Sequence, residues 1–568
     1  MIDKKQNNMA PADYTVSSYL LDRLKELGIE HVMGVPGDYG FTFMDTIEGD
    51  PDISWVGCCN ELNAGYAADA YARTRGIAAA TGSVGVFDLG AAAAVAGAYC
   101  DYVPLIFISC YPGTEDMKRG IHTHHSLQGE FTHFAGMFKH MTTLQTVLTV
   151  DNSCEEIDRA LLSCLTKKLP VYIGFPSDVQ ELHAQPPQVK LSVPAVTSDA
   201  LQLDAFIKNI TSILTSAKKA VMLIDYPVLS YGLIELVRDL AAKTGIPFAA
   251  PPLASAFLGE KHPMYLGTYS GGAGTPVDNQ VESADVLIRI CIQHDERNAG
   301  YAAINFEGKN VVNLKPDNAS IAGANYPQVV LRDILLRLIK ELPERKLTDN
   351  DEKLIDDARP FKATPKTSIT QDRLWEAFSN FVKEDDVLVI DWGTCQVLTM
   401  LSLPVTTRRV MHGSWSAIGY SLPALLGANL GDPSKRHIHI TGDGAFQETA
   451  QELSTIIHEG LAPITILLNN NRYLVEDLTH IPPMQKRYNK VPLWDYHKLP
   501  SVLGGEGKSL SLQITTEEEL VTGFAAAENA RLEGRYVLLE VMLGPADVPN
   551  IMIKATDAQA EAIKKRNS

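Results

Sequence analysis

One arrangement restricts the fold of this chain more than any other: His439-Ile440-Thr441-Gly442-Asp443-Gly444-Ala445-Phe446-Gln447, followed downstream by Leu467-Leu468-Asn469-Asn470-Asn471. The apolar run Ile438 to Thr441 suits a buried strand, Phe446 to Glu459 has helical periodicity, and Pro463 to Leu468 reads as a second strand. A right-handed crossover would join the two strands in one parallel sheet, with Asp443 and Asn470 at carboxyl ends, where open α/β sheets bind ligands. Gly442 and Gly444 would let the backbone approach a phosphate closely, and the helix that follows favours anionic oxygens. Asp443 offers a carboxylate oxygen, Asn470 an amide oxygen and Arg472 a backbone carbonyl, a hard-oxygen set suited to Mg²⁺ that diphosphate oxygens and a water would complete. Gly-Asp-Gly alone marks only a tight turn, and Asn-Asn-Asn alone a polar loop. Together, across a strand–helix–strand pattern, they read as a diphosphate and metal clamp.

The remaining sequence resembles the pyruvate and indolepyruvate decarboxylase family of thiamine diphosphate enzymes nearly end to end. The resemblance rests on Val35-Pro36-Gly37-Asp38-Tyr39, Cys59-Asn60-Glu61-Leu62-Asn63-Ala64-Gly65, Ser83-Val84-Gly85, His124-His125, Gly442-Asp443-Gly444 and Tyr473-Leu474-Val475-Glu476. It implies three doubly wound α/β domains with parallel sheets: residues 1–185 bind the aminopyrimidine, 365–568 bind diphosphate and Mg²⁺, and 200–345 form a middle domain without catalytic residues. It also implies thiamine diphosphate and Mg²⁺ as cofactors, a small 2-oxo acid as substrate, and a homodimer or homotetramer with the cofactor at the subunit interface.

Bulk properties agree with such an enzyme. The chain has 568 residues, 45% hydrophobic and 21% charged, room for about three globular domains. A formal charge of −18 argues against nucleic acid or an anionic membrane as partner. Met1 to Asn8 is polar, no apolar run of membrane-spanning length occurs, and a cytoplasmic location is expected. The 8 cysteines show no C-x-x-C spacing, and vicinal Cys58-Cys59 reads as small buried hydrophobes. Aperiodic Ala184 to Asp199 and charge- and proline-rich Glu341 to Ser368 read as linkers. Gly267, Gly271, Gly272 and Gly274 do not make a G-x-G-x-x-G and read as a loop. Gly65-Tyr66 before Ala70 and Gly419-Tyr420 before Ala424 hint at a duplicated architecture.

By resemblance, Glu61 hydrogen-bonds an aminopyrimidine nitrogen and so promotes loss of the thiazolium proton. Thr81, Thr394, Ser416, Ala417, Ile418, Gly442, Gly444, Ala445, Tyr473, Leu474 and Val475 surround the cofactor with Asp443 and Asn470; Ile418 is the wedge beneath its rings, and the Ser416 carbonyl accepts from its exocyclic amine. Asp38, His124, His125 and Glu476 handle substrate oxygen, carboxylate and protons, since protonation after carbon dioxide leaves requires an acid close by. His122-Thr123-His124-His125 lacks the carboxylate of an HExxH-type metal site.

Two departures stand out. Asn470-Asn471-Arg472-Tyr473 has arginine where the family usually has glycine, which would strain a left-handed backbone. In the substrate pocket Thr479 replaces a family isoleucine, and Gln396 stands where a pyruvate-specific enzyme carries tryptophan. A hydroxyl buried there must find a partner or cost about 1–3 kcal/mol. A carboligase is the competing enzymatic reading; a noncatalytic protein of this fold is disfavoured by retention of Glu61 and Asp443.

Overall fold

The structure is a computed structural model and describes residues 14–251, 254, 262–269, 275–293, 310–345, 360–399, 408–480, 484–554 and 556–557. The N-terminal Met1 to Asn8 segment, Gly271, Gly272, Gly274 and part of the second linker (346–359) lie outside the described residues.

The first sheet contains β1 (His31–Gly34), β2 (Ser54–Gly57), β3 (Ala78–Ser83), β4 (Leu105–Tyr111), β5 (Leu144–Val147) and β6 (Val171–Pro176) in the order β2-β1-β3-β4-β6-β5. All of its pairings are parallel. Its central strands are buried throughout, as expected where helices cover both faces.

The middle sheet holds β7 (Ala220–Ile224), β8 (Phe248–Ala250), β9 (Tyr265–Thr268), β10 (Val286–Ile290), β11 (Asn310–Lys315), β12 (Asn318–Ile321) and β13 (Ala324–Pro327) in the order β13-β12-β11-β10-β7-β8-β9. It is parallel except at one edge, where β11, β12 and β13 form an antiparallel meander. Short turns explain this edge, since a parallel connection needs a crossover of a dozen or more residues.

The third sheet comprises β14 (Val387–Ile390), β15 (Arg408–Val410), β16 (His437–Gly442), β17 (Ile464–Asn469), β18 (Ser509–Ile514) and β19 (Tyr536–Met542), ordered β15-β14-β16-β17-β19-β18 and wholly parallel. Renumbered from its own first strand, this is the order of the first sheet. Helices Glu61–Arg75 and Ser421–Gly431, which carry or follow the two Gly-Tyr pairs, both connect the second and third strands of their sheets. The duplication is therefore real at the level of topology.

The helical run expected from Phe446 to Glu459 begins earlier and is broken: Asp443–Thr449, a 3₁₀ turn at Ala450–Glu452, then Leu453–His458. Thr449 sits at φ −135° there, and its buried hydroxyl donates to Gly419 O at 2.7 Å. By contacts the chain divides into two compact units, 1–194 with 423–433 and 195–422 with 434–568. No helix among the described residues is long and apolar enough to cross a membrane. Cys58 is buried as expected, but Cys59 is exposed in the bend ahead of helix Glu61–Arg75.

Candidate active site

A cavity of about 620 Å³ opens in the second unit at the carboxyl ends of β14, β16 and β17, within the size range of small-molecule sites. Parallel pairing of β16 with β17 sets Gly442 opposite Leu468, so Asp443 and Asn470 emerge from adjacent strands. Asp443 ties the two turns together. Its Oδ1 accepts from Gly444 N at 2.8 Å, and its Oδ2 from Asn471 N at 2.5 Å. Burial pushes its carboxyl up to about 6, because only backbone dipoles and no cationic side chain offset the charge. A buried carboxylate beside a buried amide oxygen, both lining the cavity with Arg472, is a donor set that fits a hard divalent cation.

The glycines of this turn differ in purpose. A Cβ at Gly442 would meet open space, which leaves the backbone accessible from the cavity. A Cβ at Gly444 would lie 2.3 Å from the Tyr473 ring, so Gly444 serves the packing of Tyr473 rather than phosphate approach. Left-handed backbone falls on Asn471 at φ +59°, which asparagine tolerates; Arg472 has no positive φ and carries no such strain.

Ser416 also lies at a left-handed φ of +54°, a conformation that favours glycine. Its hydroxyl donates to Gly413 O at 3.0 Å, offsetting part of the strain. Ser416→Gly is therefore expected to change stability by less than about 1 kcal/mol, because strain relief and hydrogen-bond loss oppose. Ser416→Val should destabilise by about 2 kcal/mol or more, since a β-branched side chain at positive φ gains no such bond. Denaturant unfolding of both variants measures the difference.

Fifteen of the expected residues line the cavity. Besides the clamp these are Thr394, Gln396, Ser416, Ile418, Gly442, Gly444, Ala445, Tyr473, Leu474, Val475, Glu476 and Thr479. Ala417 is not among the lining residues. Thr479 is exposed, not buried, and its hydroxyl donates to Glu476 O at 3.1 Å, so no desolvation penalty arises. Trp392, Cys395, Glu448 and Leu468 also line the cavity and escaped the sequence reading.

A hydrogen-bonded chain behind the cavity wall escaped it too. Ionised Asp391 can only accept, so Ser421 Oγ donates to Asp391 Oδ2 in a close contact. Ser421 Oγ then accepts from His439 Nε2 at 2.7 Å, leaving His439 Nδ1 to accept from Thr465 Oγ1 at 3.2 Å, which in turn accepts from Tyr536 OH at 2.6 Å. Every donor points toward Asp391, which fixes one tautomer of His439. Full burial lowers His439 to about 3 and raises Asp391 to about 6. Nitrogen-15 NMR above about pH 6, where Asp391 is ionised, should find a neutral His439 ring protonated on Nε2. An Nδ1–H tautomer would refute the direction of the chain.

The other expected residues belong to the first unit. A Cβ at Gly37 would lie 1.9 Å from Ser83 Oγ, and one at Gly85 would lie 2.5 Å from His125 O. These close approaches draw Val35-Pro36-Gly37-Asp38, Ser83-Val84-Gly85 and His124-His125 together. His124 Nε2 lies 3.1 Å from Asp38 Oδ1, its Nδ1 3.2 Å from Tyr39 OH, and its ring stacks on Tyr39 with centroids 4.7 Å apart. His125 packs edge-on against His124 at a left-handed φ of +64°. Glu61 opens helix Glu61–Arg75 behind the Asn60 cap, and Gly90 makes room for it, since a Cβ there would lie 2.8 Å from Glu61 Cβ. Thr81 is buried within β3 with its hydroxyl 3.5 Å from Cys110 Sγ.

Residues 14–136, 207–338 and 391–541 match the N-terminal TPP binding, central and C-terminal TPP binding domains of the thiamine pyrophosphate enzymes. An alpha-keto-acid decarboxylase of Mycobacterium leprae is 33% identical over 550 residues, covering 96% of this chain and 95% of that protein. Pyruvate decarboxylase of Aspergillus fumigatus is 32% identical with 97% of each chain covered, and pyruvate decarboxylase isozyme 2 of Saccharomyces cerevisiae is 29% identical over 98% of this chain and 100% of its own. The crystal structure of benzoylformate decarboxylase from Polynucleobacter necessarius, 18% identical, shares the fold with a TM-score of 0.77 over 94% of this chain and 100% of that one. By these matches the chain belongs to the thiamine pyrophosphate enzymes and, among them, to the 2-oxo acid decarboxylase family.

Proposed function

We propose that the protein is a thiamine diphosphate- and Mg²⁺-dependent decarboxylase that converts a 2-oxo acid to an aldehyde and carbon dioxide. The observation that carries this reading is the convergence of Asp38 and His124 from separate motifs to 3.1 Å, which supplies proton-handling groups in addition to a cofactor clamp. The activities named for relatives matching over nearly their full length support it.

When bound, thiamine diphosphate supplies a nucleophilic thiazolium carbon and a sink for the electrons that decarboxylation releases. Asp443, Asn470 and the Arg472 carbonyl would hold Mg²⁺ and through it the diphosphate. Ile418, Leu468, Leu474 and Val475 give the cavity apolar walls, and a poorly solvated pocket favours loss of a carboxylate over its retention. The Ser416 carbonyl would orient the aminopyrimidine, and Glu61 would hold a proton against its ring nitrogen. Asp38 and His124 would pass a proton to the product carbon, with His125 assisting and Glu476 controlling the substrate carboxylate. A homodimer or homotetramer in the cytoplasm, with the cofactor at the subunit interface, completes the reading.

Product analysis of cofactor-loaded protein with a panel of 2-oxo acids tests it, with and without an acceptor aldehyde. Aldehyde and carbon dioxide in equal amounts are expected; acyloin as main product would favour the carboligase, and no carbon dioxide would refute decarboxylation.

Gln396 and Thr479 line the cavity; by resemblance an amide replaces a large ring at the first and a hydroxyl an apolar branch at the second, so the preferred substrate should be longer than pyruvate, aromatic or hydrogen-bonding in its side chain. Gln396→Trp combined with Thr479→Ile should shift the ratio of kcat/KM toward pyruvate over phenylpyruvate by about tenfold or more. An unchanged ratio would show that these positions do not select the substrate.

A further inference from the structure

Helix Leu474–Thr479 carries Glu476 but has only 6 residues, and Tyr473 ahead of it makes no side-chain cap. So short a helix cannot hold its own direction in water. Glu476 itself is exposed on the cavity wall, with its backbone N–H bonded to Tyr473 O at 3.1 Å. Whatever fixes this carboxyl must come from elsewhere in the chain.

The neighbouring Arg472 and Asp477 side chains are each only 5% exposed and face one another as a fork, Nε to Oδ2 at 2.5 Å and a terminal nitrogen to Oδ1 at 3.0 Å. The pair reaches across to a second segment. Arg472 donates to Lys486 O at 2.9 Å, while Asp477 Oδ1 accepts from Lys486 N at 3.1 Å and from Asn489 Nδ2 at 2.8 Å. Backbone bonds from Tyr473 N to Asn489 O and from Val491 N to Asn471 O close the same seam. Guanidinium and carboxylate thus satisfy each other and two peptide groups in a site nearly closed to water, where charge-assisted bonds are strongest.

We propose that Arg472 and Asp477 are positioning residues that lock Glu476 and the 486–491 segment into one rigid body beside the cavity. The inference rests on the assignment of Glu476 to substrate chemistry. It also gives a purpose to arginine at a position where the family usually has glycine: a glycine could not form the fork.

Asp477→Asn preserves shape but removes the charge that the fork needs. It should lower kcat about tenfold or more, because small displacements of a reacting group are costly, while KM and thiamine diphosphate affinity stay within about twofold. The double variant Arg472→Met with Asp477→Leu removes both buried charges and should regain Tm, yet kcat should stay low, since neither side chain can bond Lys486 or Asn489. Exchange of the Lys486 amide hydrogen should accelerate in both variants. Recovery of kcat along with Tm in the double variant would reduce the pair to a stability element and overturn the proposal, as would unchanged Lys486 exchange in Asp477→Asn. Glu476→Gln, measured alongside, separates the two ideas: normal kcat there sinks the Glu476 assignment, while Lys486 exchange still judges the lock.

Discussion

Asp443→Ala should abolish retention of thiamine diphosphate while leaving the fold largely intact. The carboxylate accepts two backbone N–H groups and is otherwise surrounded by the turn that it closes. Losing those bonds costs about 1–3 kcal/mol, and removing a carboxyl that burial has pushed up to about 6 returns part of it. Stability should therefore change little. Cofactor binding has no such compensation, because Asn470 and a carbonyl cannot replace the only anionic ligand of the clamp. Calorimetric titration with Mg²⁺ present should show affinity weakened by about a thousandfold, roughly 4 kcal/mol. Normal affinity in a folded Asp443→Ala protein would remove the cavity from contention as the cofactor site.

The parts of this site that were legible in the sequence are those built from neighbours. The Gly442-Asp443-Gly444 junction, the two flanking strands and Asn470 just past the end of the adjacent strand follow from periodicity and crossover rules, and the structure places them as expected. In the residues themselves the duplicated topology shows only as a faint Gly-Tyr echo, the rest being implied by family resemblance, because strand order is set by long-range pairing that sequence spacing does not encode. The chain from Asp391 through Ser421 and His439 to Thr465 and Tyr536 was invisible for the same reason: its members lie on separate elements and meet only in the folded core. The strain expected at Arg472 depended on one backbone angle, and the fold assigns that angle to Asn471. Analogy with an apolar residue implies a buried Thr479, yet its side chain stands at an exposed helix end with a partner one turn back.

The division of labour between two glutamates gives the sharpest test of the chemistry. Glu61 sits in the first turn of helix Glu61–Arg75, with Asn60 capping that helix through Asn63 N at 2.8 Å and Gly90 facing the side chain. Glutamine there keeps size and packing but cannot share a proton with the aminopyrimidine ring. Glu61→Gln should thus bind cofactor with near-normal affinity and slow exchange of the thiazolium proton by about a hundredfold or more, the scale of a lost acid–base partner. Glu476, on helix Leu474–Thr479, is assigned instead to the substrate carboxylate and the steps after substrate addition. Glu476→Gln should exchange the proton at the normal rate and fail afterwards, with kcat down about a hundredfold. Exchange followed by NMR in deuterated buffer, with single-turnover kinetics on the same samples, separates the two steps. Equal exchange defects in both variants would mean that activation and later chemistry share one carboxyl network, and that the roles assigned to Glu61 and Glu476 are wrong.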